Sequence, residues 1–251
     1  MIKTYTGTPG SGKSLHMAKN IMSWLKLGRS VIGTVQINRD LVKKYKGTYF
    51  FVDIYSLNPK DLIEFARKNC VKGKESQVLL VIDECQRIFN SRDWNAKDRR
   101  SWNEFFQVHR HFGFDVLLIT QFTKLLDKQL LSLIEYNHVH RKVKNFGMFG
   151  FLMSAFTGGR LFVCVSEWFP IHSKIGSDFF LYNKKLGSFY DSYMMFDEDF
   201  SDFNEVRKYL DQQAGVSDSS DVSDESETQI DDENINDFIS RFSNFLSETS
   251  A

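Results

Sequence analysis

Only three of the 251 residues are cysteine, and Cys70, Cys85 and Cys164 lie far apart. No Cys-x-x-Cys pair and no cysteine–histidine spacing marks a zinc ligand set, and an odd, scattered count builds no disulfide framework. A reducing compartment fits this usage. The chain also lacks a long uninterrupted apolar run. Its most apolar stretch, residues 146–165, is broken by Arg160 and loosened by Gly147, Gly150, Gly158 and Gly159. A spanning helix needs about 20 predominantly apolar residues, and an arginine near its centre costs roughly 2.5–3.5 kcal/mol. The stretch therefore reads as a buried or peripheral hairpin, with membrane contact open and a span disfavoured. Met1 leads straight into a strand, and no charged-then-apolar signal segment is read there. No internal repeat is visible.

Net charge is absent as well, but only in the total. From Asp197 onward there are 16 acids against 3 bases, and the 196 residues before it carry 16 acids and 29 bases. A body of +13 and a tail of −13 are thus joined in one chain. The body is long enough for one sizeable core.

Within the body, helical and strand patterns alternate. Residues 2–6, 31–34, 49–54, 78–82 and 115–120 read as strands, and residues 13–27, 59–68 and 101–111 as helices. Residues 78–82 are five consecutive aliphatics, the composition of a central parallel strand buried on both faces. Alternation of this kind predicts a three-layer α/β fold around a mainly parallel sheet. After Val139 the pattern shifts to short strands at 161–165 and 179–182, predicting a small β-rich lobe. Residues 215–228 are rich in serine and acids and have no aromatics, as a disordered linker would be. Beyond it Ile235, Phe238, Ile239, Phe242, Phe245 and Leu246 recur at helical spacing, predicting an amphipathic helix. The organisation expected is a domain over 1–196, an acidic linker over 197–229 and a helix over 230–251.

Gly7, Thr8, Pro9, Gly10, Ser11, Gly12, Lys13 and Ser14 match G-x-x-x-x-G-K-[ST] in full. Glycines let backbone N–H groups turn inward around phosphate oxygens, and the following helix points its positive end at them. In that motif Lys13 reaches the β- and γ-phosphates and the Ser14 hydroxyl ligates Mg²⁺. A strand before the loop and a helix after it supply the context this mechanism needs.

The aliphatic strand 78–82 ends in Asp83 and Glu84, at the sheet edge where open α/β folds bind ligands. Asp83 is positioned to hold Mg²⁺ through water and Glu84 to polarise an attacking water. Gln121, at the tip of the strand 115–120, can reach a γ-phosphate or position water. It can equally be a surface residue that opens a loop.

Bases and aromatics then interleave: Arg87, Arg92, Trp94, Lys97, Arg99, Arg100 and Trp102, followed by His109, Arg110 and His111, and later His138, His140, Arg141, Lys142 and Lys144. Such a surface suits single-stranded nucleic acid, through phosphate neutralisation and base stacking. The bland alternative is a solvated face whose aromatics belong to the core. No metal beyond Mg²⁺ is expected, because the histidines have no partners at ligand spacing. A superfamily-2 helicase is excluded, since Asp83-Glu84-Cys85-Gln86 is not followed by a second α/β lobe.

The run from Val81 through Phe89, then Arg92, His109-Arg110-His111-Phe112-Gly113-Phe114-Asp115, Thr120-Gln121 and Tyr190-Asp191-Ser192-Tyr193, resembles the zonular occludens toxin (Zot) domain family over about residues 1–196. The resemblance implies an ATPase related to the FtsK/HerA pumping motors. It also implies the role of the family's filamentous-phage members, which drive assembly and extrusion of single-stranded DNA virions through the host envelope. On that basis Lys13 and Ser14 bind phosphate and Mg²⁺, Asp83 and Glu84 serve metal and water, and Gln121 senses the γ-phosphate of ATP. A homo-oligomeric ring would use a trans-acting arginine, for which Arg110 is the candidate. Coat or membrane assembly proteins are the implied partners, at the cytoplasmic face of the host inner membrane. The acidic tail departs from the family, whose phage members carry a spanning helix there. Two alternatives stay open: a DNA-translocating or packaging ATPase, and a nucleotide-gated interaction protein without motor activity.

Overall fold

The computed structural model describes residues 1–92, 99–145 and 157–190. The expected linker, the C-terminal helix, Trp94, Lys97 and most of the apolar stretch 146–165 lie outside the described residues.

Eight strands form one sheet: β1 (Ile2–Thr6), β2 (Ser30–Gly33), β3 (Tyr49–Phe51), β4 (Val78–Ile82), β5 (Phe114–Ile119), β6 (Tyr136–Lys142), β7 (Leu161–Trp168) and β8 (Ser173–Leu181). The helices are α1 (Lys13–Lys26), α2 (Arg39–Val42), α3 (Pro59–Asn69), α4 (Arg99–Val108), α5 (Lys128–Leu131) and α6 (Lys184–Gly187). The spatial order of the strands is β3-β2-β4-β5-β1-β6-β7-β8. Pairings from β3 to β6 are parallel, and β7 and β8 add on antiparallel.

Alternation along each parallel strand divides the core into two layers, because successive side chains point to opposite faces. Tyr5, Val31, Leu79, Val81, Leu117 and Ile119 face α1, against Met17, Ala18, Ile21, Met22 and Leu25. On the other face Phe105 of α4 meets Phe114 edge-on at 5.4 Å, and Trp102, Phe89 and Phe106 pack against one another. Asn58 starts α3 by accepting the Lys60 N–H at 2.9 Å, with Pro59 in the first turn, where a missing donor costs nothing. Helices on both faces of a mainly parallel sheet give the three layers that the sequence pattern predicts.

The expected β-rich segment is present and is built onto the main sheet. Its strands extend the same sheet through β6, which pairs with β1 at Lys3–Tyr136, Thr4–Asn137 and Tyr5–His138. Hydropathy conceals β6, because its inward residues are polar and satisfied by partners. Asn137 accepts from the Thr4 and Thr6 hydroxyls at 2.9 and 3.0 Å and donates to Glu167 at 2.6 Å. A buried polar side chain with all these bonds made costs little, so an apolar pattern is not required.

Among the described residues, no helix is long and apolar enough to cross a membrane.

Phe105→Ala should lower the urea midpoint by the equivalent of about 3–5 kcal/mol, since it opens a cavity between α4 and β5. Equilibrium unfolding followed by tryptophan fluorescence measures it. A loss under about 1 kcal/mol would show that this layer is not tightly packed.

Candidate functional site

The order β4-β5-β1 decides the site. Three parallel strands end at one edge of the sheet, and the residues that leave them are Asp83 after β4, Gln121 beyond β5 and Gly7 after β1. The phosphate-loop strand and the carboxylate strand are therefore separated by one strand, whose exit loop lies between them. The Gly7 N–H donates to the Gln121 carbonyl at 3.2 Å, joining that exit loop to the phosphate loop.

The loop's conformation explains its glycines. Gly7 has φ 139°, and a Cβ there would stand 2.4 Å from the His140 carbonyl oxygen and 2.7 Å from Ser11 Oγ. Gly12 caps α1 in the left-handed region at φ 96°, where a Cβ would stand 2.8 Å from the Phe162 ring. Phe162 and Phe180 stack at 5.6 Å, so the β7–β8 hairpin forms the floor under the helix start. The loop is thus held between β6 and the hairpin before any ligand arrives. Ser11 Oγ is buried without a hydrogen-bond partner.

Lys13 Nζ donates to the Gly7 carbonyl at 2.7 Å and the Thr8 carbonyl at 3.3 Å, folded back over its own loop. Partial burial lowers its pKa, opposed by the nearby Asp83 and Glu84 charges. A phosphate entering the loop would offer this ammonium a stronger acceptor than two neutral carbonyls.

Asp83 is held by its neighbours. Its N–H donates to Thr34 Oγ1 at 3.0 Å, and its Oδ1 accepts the Glu84 N–H at 2.9 Å. Burial pushes its pKa up to about 6, with the Glu84 charge adding, while the Glu84 N–H, Lys13 and Arg87 pull it down. A carboxylate this poorly compensated suits a cation. Its oxygens and the Ser14 hydroxyl are hard donors of the kind Mg²⁺ takes.

Glu84 has φ 48°, rare for a side chain other than glycine or asparagine. Gln86 Nε2 donates to its Oε2. The base candidate is therefore tethered by a neighbouring amide, a feature that sequence reasoning missed. Gln86 lies two residues after Glu84, and only the turn beginning at Cys85 brings it back.

A cleft of about 820 Å³ opens on the sheet face away from α1. Thr6, the loop from Gly7 to Ser11, Gln121, Asn137, Arg141 and Lys142 are among the residues that line it; Asp83 and Glu84 do not. Gln121 is thus placed on the cleft wall, next to the phosphate loop.

Other candidates fall elsewhere. Arg110 ends the α4 side of the sheet, opposite the phosphate loop, where its guanidinium pairs with Glu135 at 2.5 Å. That pair raises the Arg110 pKa. Within its own chain it does not approach the site. The interleaved surface also divides. Arg99 is buried and pairs with Asp127 at 3.4 Å, and Trp102, His109 and His140 are buried as well. Arg87, Arg92, Arg100, Arg141, Lys142 and Lys144 are exposed. Local sequence alternation does not reveal this split, because it depends on which side of α4 meets the sheet and which positions of β6 are covered by their neighbours.

Over residues 1–193 the chain matches the family described as zonular occludens toxin (Zot). The chain belongs to the Zot family. It is 29% identical over 163 residues to the Gene 1 protein of Enterobacteria phage f1, covering 62% of this chain and 47% of that one. To the Gene 1 protein of Enterobacteria phage I2-2 it is 32% identical over 167 residues, covering 62% and 45%. The chain spans about half the length of these relatives. The N-terminal domain of zonular occludens toxin from Neisseria meningitidis superposes with a TM-score of 0.51 at 22% identity, covering 76% of this chain and 98% of that domain. At that identity the likeness establishes the fold, a P-loop NTPase fold, and agrees with the family assignment.

Asp83 gives this Zot-family chain a pH signature. The folded, metal-free chain keeps the Asp83 proton up to about pH 6, whereas the unfolded chain releases it near 3.8. The folded state binds more protons between those values, so stability falls as pH rises through them and stays lower above. Asp83→Asn should therefore raise the melting temperature at pH 8, the stability gain being at most about 3 kcal/mol at 1.36 kcal/mol per pH unit. At pH 4 it should change little. Thermal melts in EDTA at both values test this, and no gain at pH 8 would mean that the carboxylate is already compensated.

Proposed function

We propose that this chain is the ATP-hydrolysing part of a motor that assembles and extrudes filamentous-phage virions, with their single-stranded DNA, through the host envelope. The observation that carries the reading is the meeting of the phosphate loop, Gln121 and the Asp83–Glu84 pair at one sheet edge, in a chain of the Zot family. The Gene 1 relatives from filamentous phages supply the setting, and the extrusion role rests on that kinship.

In the reaction proposed, the loop from Gly7 to Ser14 and the Lys13 ammonium bind the β- and γ-phosphates of ATP, through backbone N–H groups other than that of Gly7, which donates to Gln121, and Pro9, which has none. Ser14 and Asp83 would hold Mg²⁺, which neutralises charge on the phosphates when bound. Glu84 takes a proton from the attacking water once Gln86 releases it, and Gln121 contacts the γ-phosphate from the β5 side. Arg110 is assigned to trans action only, on the nucleotide of an adjacent copy in a ring.

The exposed bases Arg141, Lys142 and Lys144 at the end of β6 suit a phosphate backbone or an acidic partner, such as a coat or membrane assembly protein at the inner membrane's cytoplasmic face.

A nucleotide-gated switch is the second reading, favoured by the Gln86–Glu84 tether. A gate that opens only with a partner leaves the isolated chain slow. A DNA-packaging ATPase is the third, distinguished by stimulation on naked DNA.

Steady-state ATP hydrolysis by the wild-type chain and by Lys13→Ala, with and without single-stranded DNA, tests the proposal. The substitution should reduce turnover at least about 100-fold, as expected when charge stabilisation on the transferring phosphoryl is lost. Glu84→Gln should bind Mg-ATP and stall. Equal turnover in wild type and Lys13→Ala would overturn the assignment of the site. Tight Mg-ATP binding without hydrolysis, with or without DNA, would select the switch.

A second prediction concerns the tether. Gln86→Ala frees Glu84, and if the tether is a brake, basal hydrolysis should rise several-fold while ATP affinity stays unchanged. A fall in turnover would instead make Gln86 a positioning residue for the base.

A further inference from the structure

On the α1 face, behind the phosphate loop, three side chains from three elements converge. His16 lies in the first turn of α1, His140 on β6, and Cys164 on β7 directly opposite His140 in the antiparallel register. Their ligand atoms all lie within 4.8 Å of one another. His140 and Cys164 are fully buried, and His16 is half-buried.

The bonding around the pair assigns its protons. His140 Nδ1 lies 3.3 Å from the Thr6 carbonyl oxygen, which only accepts, so Nδ1 carries the hydrogen. Nε2 then accepts the hydrogen that His16 Nδ1 donates at 2.8 Å, so its lone pair faces His16. Metal-binding imidazoles are commonly oriented in this way, with the second N–H donated to a backbone carbonyl. The Tyr5 ring stacks on His16 at 4.7 Å and Phe180 approaches at 5.2 Å, so the walls are aromatic.

We propose that His16, His140 and Cys164 form a binding site for one borderline-soft divalent cation, zinc by its ligand chemistry, with one coordination position left open. Two imidazole nitrogens and a sulfur exclude Mg²⁺ and Ca²⁺, which take oxygen, and match the donors that zinc prefers. The ion displaces the Cys164 thiol proton to solvent and binds the thiolate, while His16 shifts its hydrogen from Nδ1 to Nε2 so that Nδ1 ligates. Zinc bonds of about 2.0–2.3 Å set tetrahedral ligands about 3.3–3.7 Å apart. The imidazole pair therefore opens slightly and the sulfur draws in.

Such an ion ties α1, two residues past Ser14, to the β6–β7 hairpin. The backbone of His140 already bounds the phosphate loop, since its carbonyl is what a Cβ on Gly7 would strike. The site is separate from the Mg²⁺ donors and would brace the loop from behind. Linkage makes the effect reciprocal: if zinc favours the nucleotide-ready loop, nucleotide tightens zinc to the same degree.

The test uses the full chain, stripped with chelator and titrated with Co²⁺ and then Zn²⁺. About one equivalent should bind, with a near-ultraviolet thiolate-to-cobalt band and the visible bands of tetrahedral cobalt. Cys164→Ser should abolish the charge-transfer band and weaken zinc at least about tenfold, whereas His111→Ala, on the opposite sheet edge, should change neither. X-ray absorption of the zinc-loaded wild-type chain should show one sulfur and two imidazoles, and it decides the matter even if Cys164→Ser fails to fold. No uptake at micromolar metal, an all-nitrogen-and-oxygen shell, or a charge-transfer band retained in Cys164→Ser would overturn the proposal.

Discussion

Everything at the candidate site depends on the parallel pairing of β4, β5 and β1. Parallel strands share a direction, so their C-terminal ends, and the residues that follow them, arrive at one edge. Leu80 stands opposite Val116 and Thr4 opposite Leu118, which brings Asp83, Gln121 and Gly7 out side by side. A one-residue slip in either register would turn each strand's core side chains to the wrong face. The two apolar layers, α1 on one side and the α4 aromatics on the other, therefore hold the chemistry in place as well as the fold.

The polar residues at that edge are arranged for a ligand that is charged. Lys13 is bent over the Gly7 and Thr8 carbonyls, burial raises the Asp83 pKa to about 6, and Ser11 Oγ has no partner. Each group is incompletely satisfied alone, and phosphate with a hard cation would satisfy all three. Glu84 is the exception. Its carboxylate already has the Gln86 amide, so the catalytic base candidate is occupied while the binding groups wait.

The β6–β8 extension has a structural role that its sequence does not advertise. It supplies the floor under Gly12 through Phe162 and the wall beside Gly7 through His140. It also carries the exposed bases Arg141 and Lys142, which stand on the rim of the cleft beside the phosphate loop. One edge of the sheet thus both shapes the loop and presents positive charge to whatever approaches it.

By itself the sequence determined the phosphate loop, the apolar strands and helix α1, because those depend on short spacings: glycine where φ is positive, aliphatics at period two, apolar residues at period 3.6. It also determined that Asp83 and Glu84 close a strand. Tertiary structure decided which polar residues are inside. Arg99 is buried by Asp127, Asn137 by Thr4 and Thr6, and His140 by Thr6 and His16, and each of these partners lies on a different element. Hydropathy reads such residues as surface, since the hydrogen bonds that make burial affordable are formed across long sequence separations. The same reason hid β6, moved Arg110 to the far edge, and gathered His16, His140 and Cys164 from three distant segments into one cluster.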